Sequence, residues 1–159
     1  MKKAFISLFT LLTLLVLSIT IAFIHRQNEL TDEYTKDLYN KKQAQYMAES
    51  ALNTYMDENA QEINDLILKD YKDHKDDKEK ESRWVDENGK GSYEGTSYYV
   101  KISYPQRKED LKFSDVYLLR TSTIEVGDSQ SQALAIVKVI DPKKEDGDEY
   151  IQIMSKYSY

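Results

Sequence analysis

Residues 4–24 are twenty-one consecutive uncharged residues, and neither Gly nor Pro occurs before Gly89. At about 1.5 Å per residue, a helix of that length covers the roughly 30 Å hydrocarbon core of a bilayer. A secretory signal would have a shorter apolar run, ended by a small-x-small site and an extended mature start. Here the one such tripeptide, Thr20-Ile21-Ala22, leads straight into helix-favouring sequence. The segment therefore reads as a membrane span. Lys2 and Lys3 precede it, whereas Glu29, Asp32 and Glu33 follow soon after Arg26. The positive-inside bias places the short tail in the cytoplasm and residues 25–159 outside, as in a single-pass membrane protein.

After the span, Leu30, Tyr34, Leu38, Ala44, Met47 or Ala48, Ala51 or Leu52, Tyr55 or Met56, Ala60, Ile63, and Leu66 or Ile67 recur three or four residues apart. That period predicts an amphipathic helix over residues 25–71, continuous with the span, with one apolar stripe in need of a partner. Residues 72–92 carry mixed charges and end in Asn88-Gly89 and Gly91, which predicts a solvated helix end and connector. Beyond it the period becomes two. Tyr98, Val100, Ile102 and Tyr104 form one run; Val116, Leu118, Ser122, Ile124 and Val126 a second; Ala133, Ala135, Val137 and Val139 a third; residues 150–154 a weaker fourth. The expected architecture is α+β: a long N-terminal helix packed on a small antiparallel sheet of about four strands over residues 93–159.

Composition narrows the chemistry. Cysteine is absent, so disulfides and thiol catalysis are excluded. Without Lys2 and Lys3 the chain has a net charge of −8, from 20 basic against 28 acidic residues. No basic stripe is visible in the linear sequence, so direct nucleic-acid binding is not expected. His25 and His74 lie too far apart to suggest a metal pair, and no phosphate loop, nucleophile elbow or HExxH helix occurs. Neither an enzyme nor a cofactor is expected. The acidic turn at residues 145–149 offers Asp146 and Asp148 as calcium ligands, but it lacks the spaced ligand ladder of a calcium loop and reads as a hairpin turn.

A short basic leader, an apolar span that runs on as an amphipathic helix, and a sheet after it together resemble a type IV pilin or pseudopilin. The start Lys2-Lys3-Ala4-Phe5 is similar to a leader (residues 1–4) cut after Ala4, with Phe5 as the first mature residue and residues 5–24 as the membrane segment. The family normally has Gly before the cut; Ala is a tolerated variant. Its usual Glu at the fifth mature position would fall at Phe9 and is missing, a departure the resemblance associates with minor subunits at the filament tip. QAQYMAESALNTYM resembles the helix of minor pilins of the PilX and general-secretion K classes. YEGTSYYVKISY and YLLRTSTIEVGDSQSQALAIVKVID resemble the sheet of the ComGG family of Gram-positive competence pili.

The resemblance implies cleavage by prepilin peptidase, N-methylation of Phe5, and hetero-oligomers with other minor pilins and the major pilin in a filament that serves DNA uptake. It also implies packing of the apolar helix against sister helices around Phe9, Thr10, Thr13 and Ser18, where hydroxyls permit close approach. Glu49 is a further candidate for a polar contact between filament helices, although its position better suits a solvent-facing helix charge. Two alternatives stay open: a signal-anchored extracellular binding or sensor module, and a minor pseudopilin of type II secretion.

Overall fold

A computed structural model describes residues 2–74, 81–105, 115–140 and 149–159, with the backbone alone for residues 2–5. Helix α1 spans Lys2–Glu58 and helix α2 Ala60–His74. Among the described residues seven strands follow: β1 Arg83–Tyr93, β2 Thr96–Tyr104, β3 Val116–Thr121, β4 Ile124–Val126, β5 Ser129–Ser131, β6 Ala133–Ile140 and β7 Tyr150–Ser158. The chain falls into two units, residues 1–39 and 40–159.

In the first unit every described side chain, from Ile6 to Tyr39, is exposed. The helix there holds together because its sequence lacks any breaker, not because anything packs on it.

The second unit has a core. Its main sheet runs β1-β2-β3-β6-β7 and is antiparallel throughout, while β4 and β5 form a separate ribbon. One sheet face packs on the helices. Ala48, Ala51, Leu52, Tyr55 and Met56 of α1, then Ile63, Ile67 and Tyr71 of α2, form one core with Tyr98, Val100, Ile102, Tyr117, Leu119, Ala135 and Val137. The α+β architecture is as expected, with five strands in the main sheet instead of about four.

Three local expectations differ. The helix is interrupted at Asn59, whose side-chain amide donates to the Tyr55 carbonyl (3.0 Å) that its own backbone N–H also uses. Such competition between side chain and backbone loosens a helical turn. The predicted connector at residues 72–92 contains the end of α2, up to His74, and all of β1 except Tyr93. Its glycines serve contact instead of turning: Gly89 leaves room for the Tyr55 hydroxyl, and the Tyr98 ring lies across Gly91. Register shifts flanking Asp86 show that β1 bulges twice against β2. Finally, the second apolar run is two strands, and its buried side is Tyr117, Leu119 and Thr121, not Val116 and Leu118.

Turns follow from backbone sterics. Glu94 and Gly95 both have positive φ, at 48° and 80°, and close the β1–β2 hairpin in two residues, the pattern of a type I′ turn. Gly127, with φ at 57°, opens the two-residue β4–β5 loop, where its missing β-carbon leaves space for the Asn40 side chain.

Candidate functional site

The first candidate is the apolar part of α1. Among the described residues one helix, near the N-terminus, is long and apolar enough to cross a membrane; its most apolar window has a mean hydropathy of 2.5 and none of that window is buried. Polar side chains inside this stretch are neutralised locally. Thr10 donates to the Ile6 carbonyl (2.8 Å), Thr13 to Phe9 (2.8 Å), Ser18 to Leu14 (2.9 Å) and Thr20 to Val16 (2.8 Å). Each hydroxyl proton is satisfied one turn back, so the residues can enter hydrocarbon without an unpaired donor. Their oxygens keep acceptor capacity for a neighbouring helix. Phe9 is 64% exposed. Ala4 and Phe5 carry helical backbone, and their side chains lie outside the described residues.

The second candidate is a cluster that no linear motif announces. Asp70, on α2, receives two hydrogen bonds from Arg83 at the start of β1, one from Nε at 2.8 Å and one from Nη2. Tyr117 on β3 donates its hydroxyl to the same carboxylate (2.8 Å). The Arg83 guanidinium also lies 4.4 Å from the centre of the Tyr104 ring, which meets Tyr117 edge-on at 5.3 Å between centroids. His74 Nδ1 lies 2.9 Å from the Asp70 carbonyl oxygen. Asp70 retains 11% side-chain exposure and Arg83 21%.

Burial, the largest influence on Asp70, raises its pKa. The hydrogen bonds from Arg83 and Tyr117 and the Arg83 and His74 charges together outweigh it, and the carboxyl is held below its ordinary value. Hydrogen bonding to Asp70 raises Arg83, while burial and then the Asp70 contact push Tyr117 far up. These groups do not change charge near neutral pH. The arrangement fastens α2 to two strands; a proton carrier would need a pKa closer to the working pH.

Glu49 has a contact that the sequence did not reveal: it is half-buried and accepts a hydrogen bond from Ser158 of β7 at 2.6 Å. One turn further along α1, Asn53 accepts from Lys156 Nζ at 2.7 Å. A cavity of about 120 Å³ lies among Glu49, Leu52, Asn53, Ala133, Lys156 and Tyr157. A wider open hollow of about 530 Å³, at the junction of α1 and α2, is lined by Glu58, Asn59, Gln61, Glu62, Asp65, Leu66 and Lys69. Among the described residues no three His, Asp or Glu side chains converge to hold a metal. The calcium candidates Asp146 and Asp148 lie outside the described residues.

Compared with known proteins, the chain matches no family model, no curated protein and no solved structure.

Proposed function

We propose that this chain is a minor subunit, at the tip or initiating position, of a type IV-like competence pilus of the ComGG kind. In this reading it is held in the cell membrane with its N-terminus inside until it enters a filament that serves DNA uptake. The observation that carries it is the 57-residue helix α1. Its residues 6–39 are uncovered, while Ala48, Ala51, Leu52, Tyr55 and Met56 further along bury one face of the helix in the core with the antiparallel sheet. A soluble protein gains nothing from so large an exposed apolar run. A subunit that moves from lipid into a bundle of like helices uses the same surface in both places.

Prepilin peptidase would cut after Ala4, and the new amine of Phe5 would be methylated. Residues 5–24 would then pack against sister helices, with Phe9, Thr10, Thr13 and Ser18 at the contacts. The sheet of the second unit would meet other minor pilins and the major pilin.

The deciding experiment is mass spectrometry of the mature N-terminus from cells that carry the peptidase and from cells that lack it, together with protease digestion of wall-stripped cells. An N-methylated Phe5 that depends on the peptidase, and loss of the second unit to added protease, are expected. An uncut chain with the same topology would instead support a signal-anchored binding or sensor module. A peptidase-dependent cut with copurification of secretion components would favour a pseudopilin of type II secretion.

A further inference from the structure

In a chain with a net charge of −6, strands β2, β3, β6 and β7 contain no Asp or Glu. Their charged residues are Lys101, Arg120, Lys138 and Lys156, and only Lys156 reaches the helix side, at Asn53. Cross-strand pairing fixes where the others go, because directly opposed residues share a face. Lys101 stands opposite Arg120, Arg120 opposite Leu134 and Leu134 opposite Tyr157. In neighbouring rows Lys90 stands opposite Tyr99, Trp84 opposite Ser103, and Lys138 opposite Val116 and Gln152. All of these lie on the face away from the helices, as the alternation of buried Tyr98, Val100 and Ile102 with exposed Tyr99 and Lys101 requires.

Four cations and exposed rings therefore share one sheet face; the described acids of the main sheet's strands, Asp86 and Glu87, sit in the bulged part of edge strand β1, and Glu125 lies in the separate β4–β5 ribbon. The Lys101–Arg120 pair costs stability, since like charges directly opposite repel. Lys101 lies over the Trp84 ring, 5.2 Å from its centre. Trp84 is 55% exposed, Tyr99 50% and Tyr157 45%. Cations alone suit any polyanion; rings interleaved with them on an open sheet add a surface on which bases stack.

We propose that this face of the second unit binds single-stranded nucleic acid, with Lys101, Arg120, Lys90 and Lys138 at phosphates and Trp84 and Tyr99 against bases. The assignment rests on strand register alone and does not require the pilin reading. It runs against the expectation from net charge, which averages over a chain whose charges are sorted by face.

The test uses the full chain in neutral detergent micelles and a fluorescent oligothymidylate of about 16 nucleotides. If all four cations engage, affinity falls roughly 50-fold between 50 and 200 mM salt. The double variant Lys101→Ala, Arg120→Ala should bind more weakly and lower the logarithmic salt slope by about 1.4. Trp84→Ala should weaken binding about fivefold or more with the salt slope unchanged. Lys156→Ala, on the opposite face, should behave as the parent, and circular dichroism should show all variants folded. Absence of binding at 50 mM salt overturns the proposal. Equal competition by inorganic polyphosphate, or tighter binding of a duplex of the same length, overturns it too, because bases would then have no part.

Discussion

The hydroxyl of Tyr55 sits over Gly89 so closely that a β-carbon there would lie 2.3 Å from its oxygen and 2.7 Å from the carbonyl oxygen of Val100. Helix α1 and edge strand β1 thus meet with no room for a side chain. Gly89→Ala should destabilise the second unit by about 1–3 kcal/mol, since backbone as well as side chain must move. Gly95→Ala, in open space at a φ of 80°, meets only the backbone penalty of about 1–2 kcal/mol. Urea unfolding of the two variants, followed by tyrosine fluorescence, should rank them in that order.

Acid should loosen the Asp70 cluster. Its folded pKa lies below the unfolded value, so the unfolded chain binds the extra proton. The stabilisation is therefore complete above the ordinary carboxylate range and is lost as pH falls through the folded pKa. Asp70→Asn should cost about 2–3 kcal/mol at pH 7, because Arg83 keeps its charge without its partner, and should flatten the fall in stability below about pH 4. Thermal unfolding between pH 3 and pH 7 measures both effects.

Two buried tyrosines should respond in opposite directions. Tyr117→Phe removes the donor to Asp70 and should cost about 1–2 kcal/mol. The Tyr98 hydroxyl is buried and has no hydrogen-bond partner among the described residues. Tyr98→Phe should therefore be neutral, or stabilising by up to about 1 kcal/mol. Denaturant midpoints of the two variants provide the comparison.

A carboxylate in the middle of the apolar segment should abolish membrane residence. Leu14 is 60% exposed. Leu14→Asp adds about 2.5–3.5 kcal/mol to insertion, whereas Thr13→Val should insert at least as well as the parent. Carbonate extraction of membranes separates these outcomes.

Phe9→Glu tests the tip assignment. In a filament interior, a subunit without the Glu leaves a neighbour's amine unpaired in a medium of low dielectric. At the tip no such amine lies ahead, so the substitution should give no gain in pilus number or DNA uptake. A clear gain, or a copy number in sheared filaments near that of the major pilin, would remove the tip assignment.

Much of this fold is legible in the sequence wherever one face is dry and the other wet. Tyr98, Val100, Ile102 and Tyr104 announce β2, and Ala133 to Val139 announce β6, because both strands lie in the sheet's interior. Strand β1 hides because its glycines read as turns, whereas their role is to admit the Tyr55 side chain of α1 and the Tyr98 ring of the neighbouring strand β2. In β3 both faces are largely apolar, so period two cannot tell Leu118 from Leu119. The Asp70 cluster was illegible for a different reason: its partners lie 13 and 47 residues away, and only the register of β1 and β3 brings them together. The cations of the sheet face were visible singly, and strand order alone makes them neighbours.

The hydrogen bond from Ser158 to Glu49 spans 109 residues. At a synthesis rate of roughly 5–20 residues per second, the α1 turns that carry Ala44 to Tyr55 leave the ribosome some 5–20 s before the strand that completes their cover. During that interval the helix is made but has no sheet to lie on, and its apolar stripe is bare. The second unit is assembled against the order of synthesis, its last strand closing over its first helix. Early insertion of the N-terminal segment into a bilayer would keep that unfinished surface tethered and away from other nascent chains.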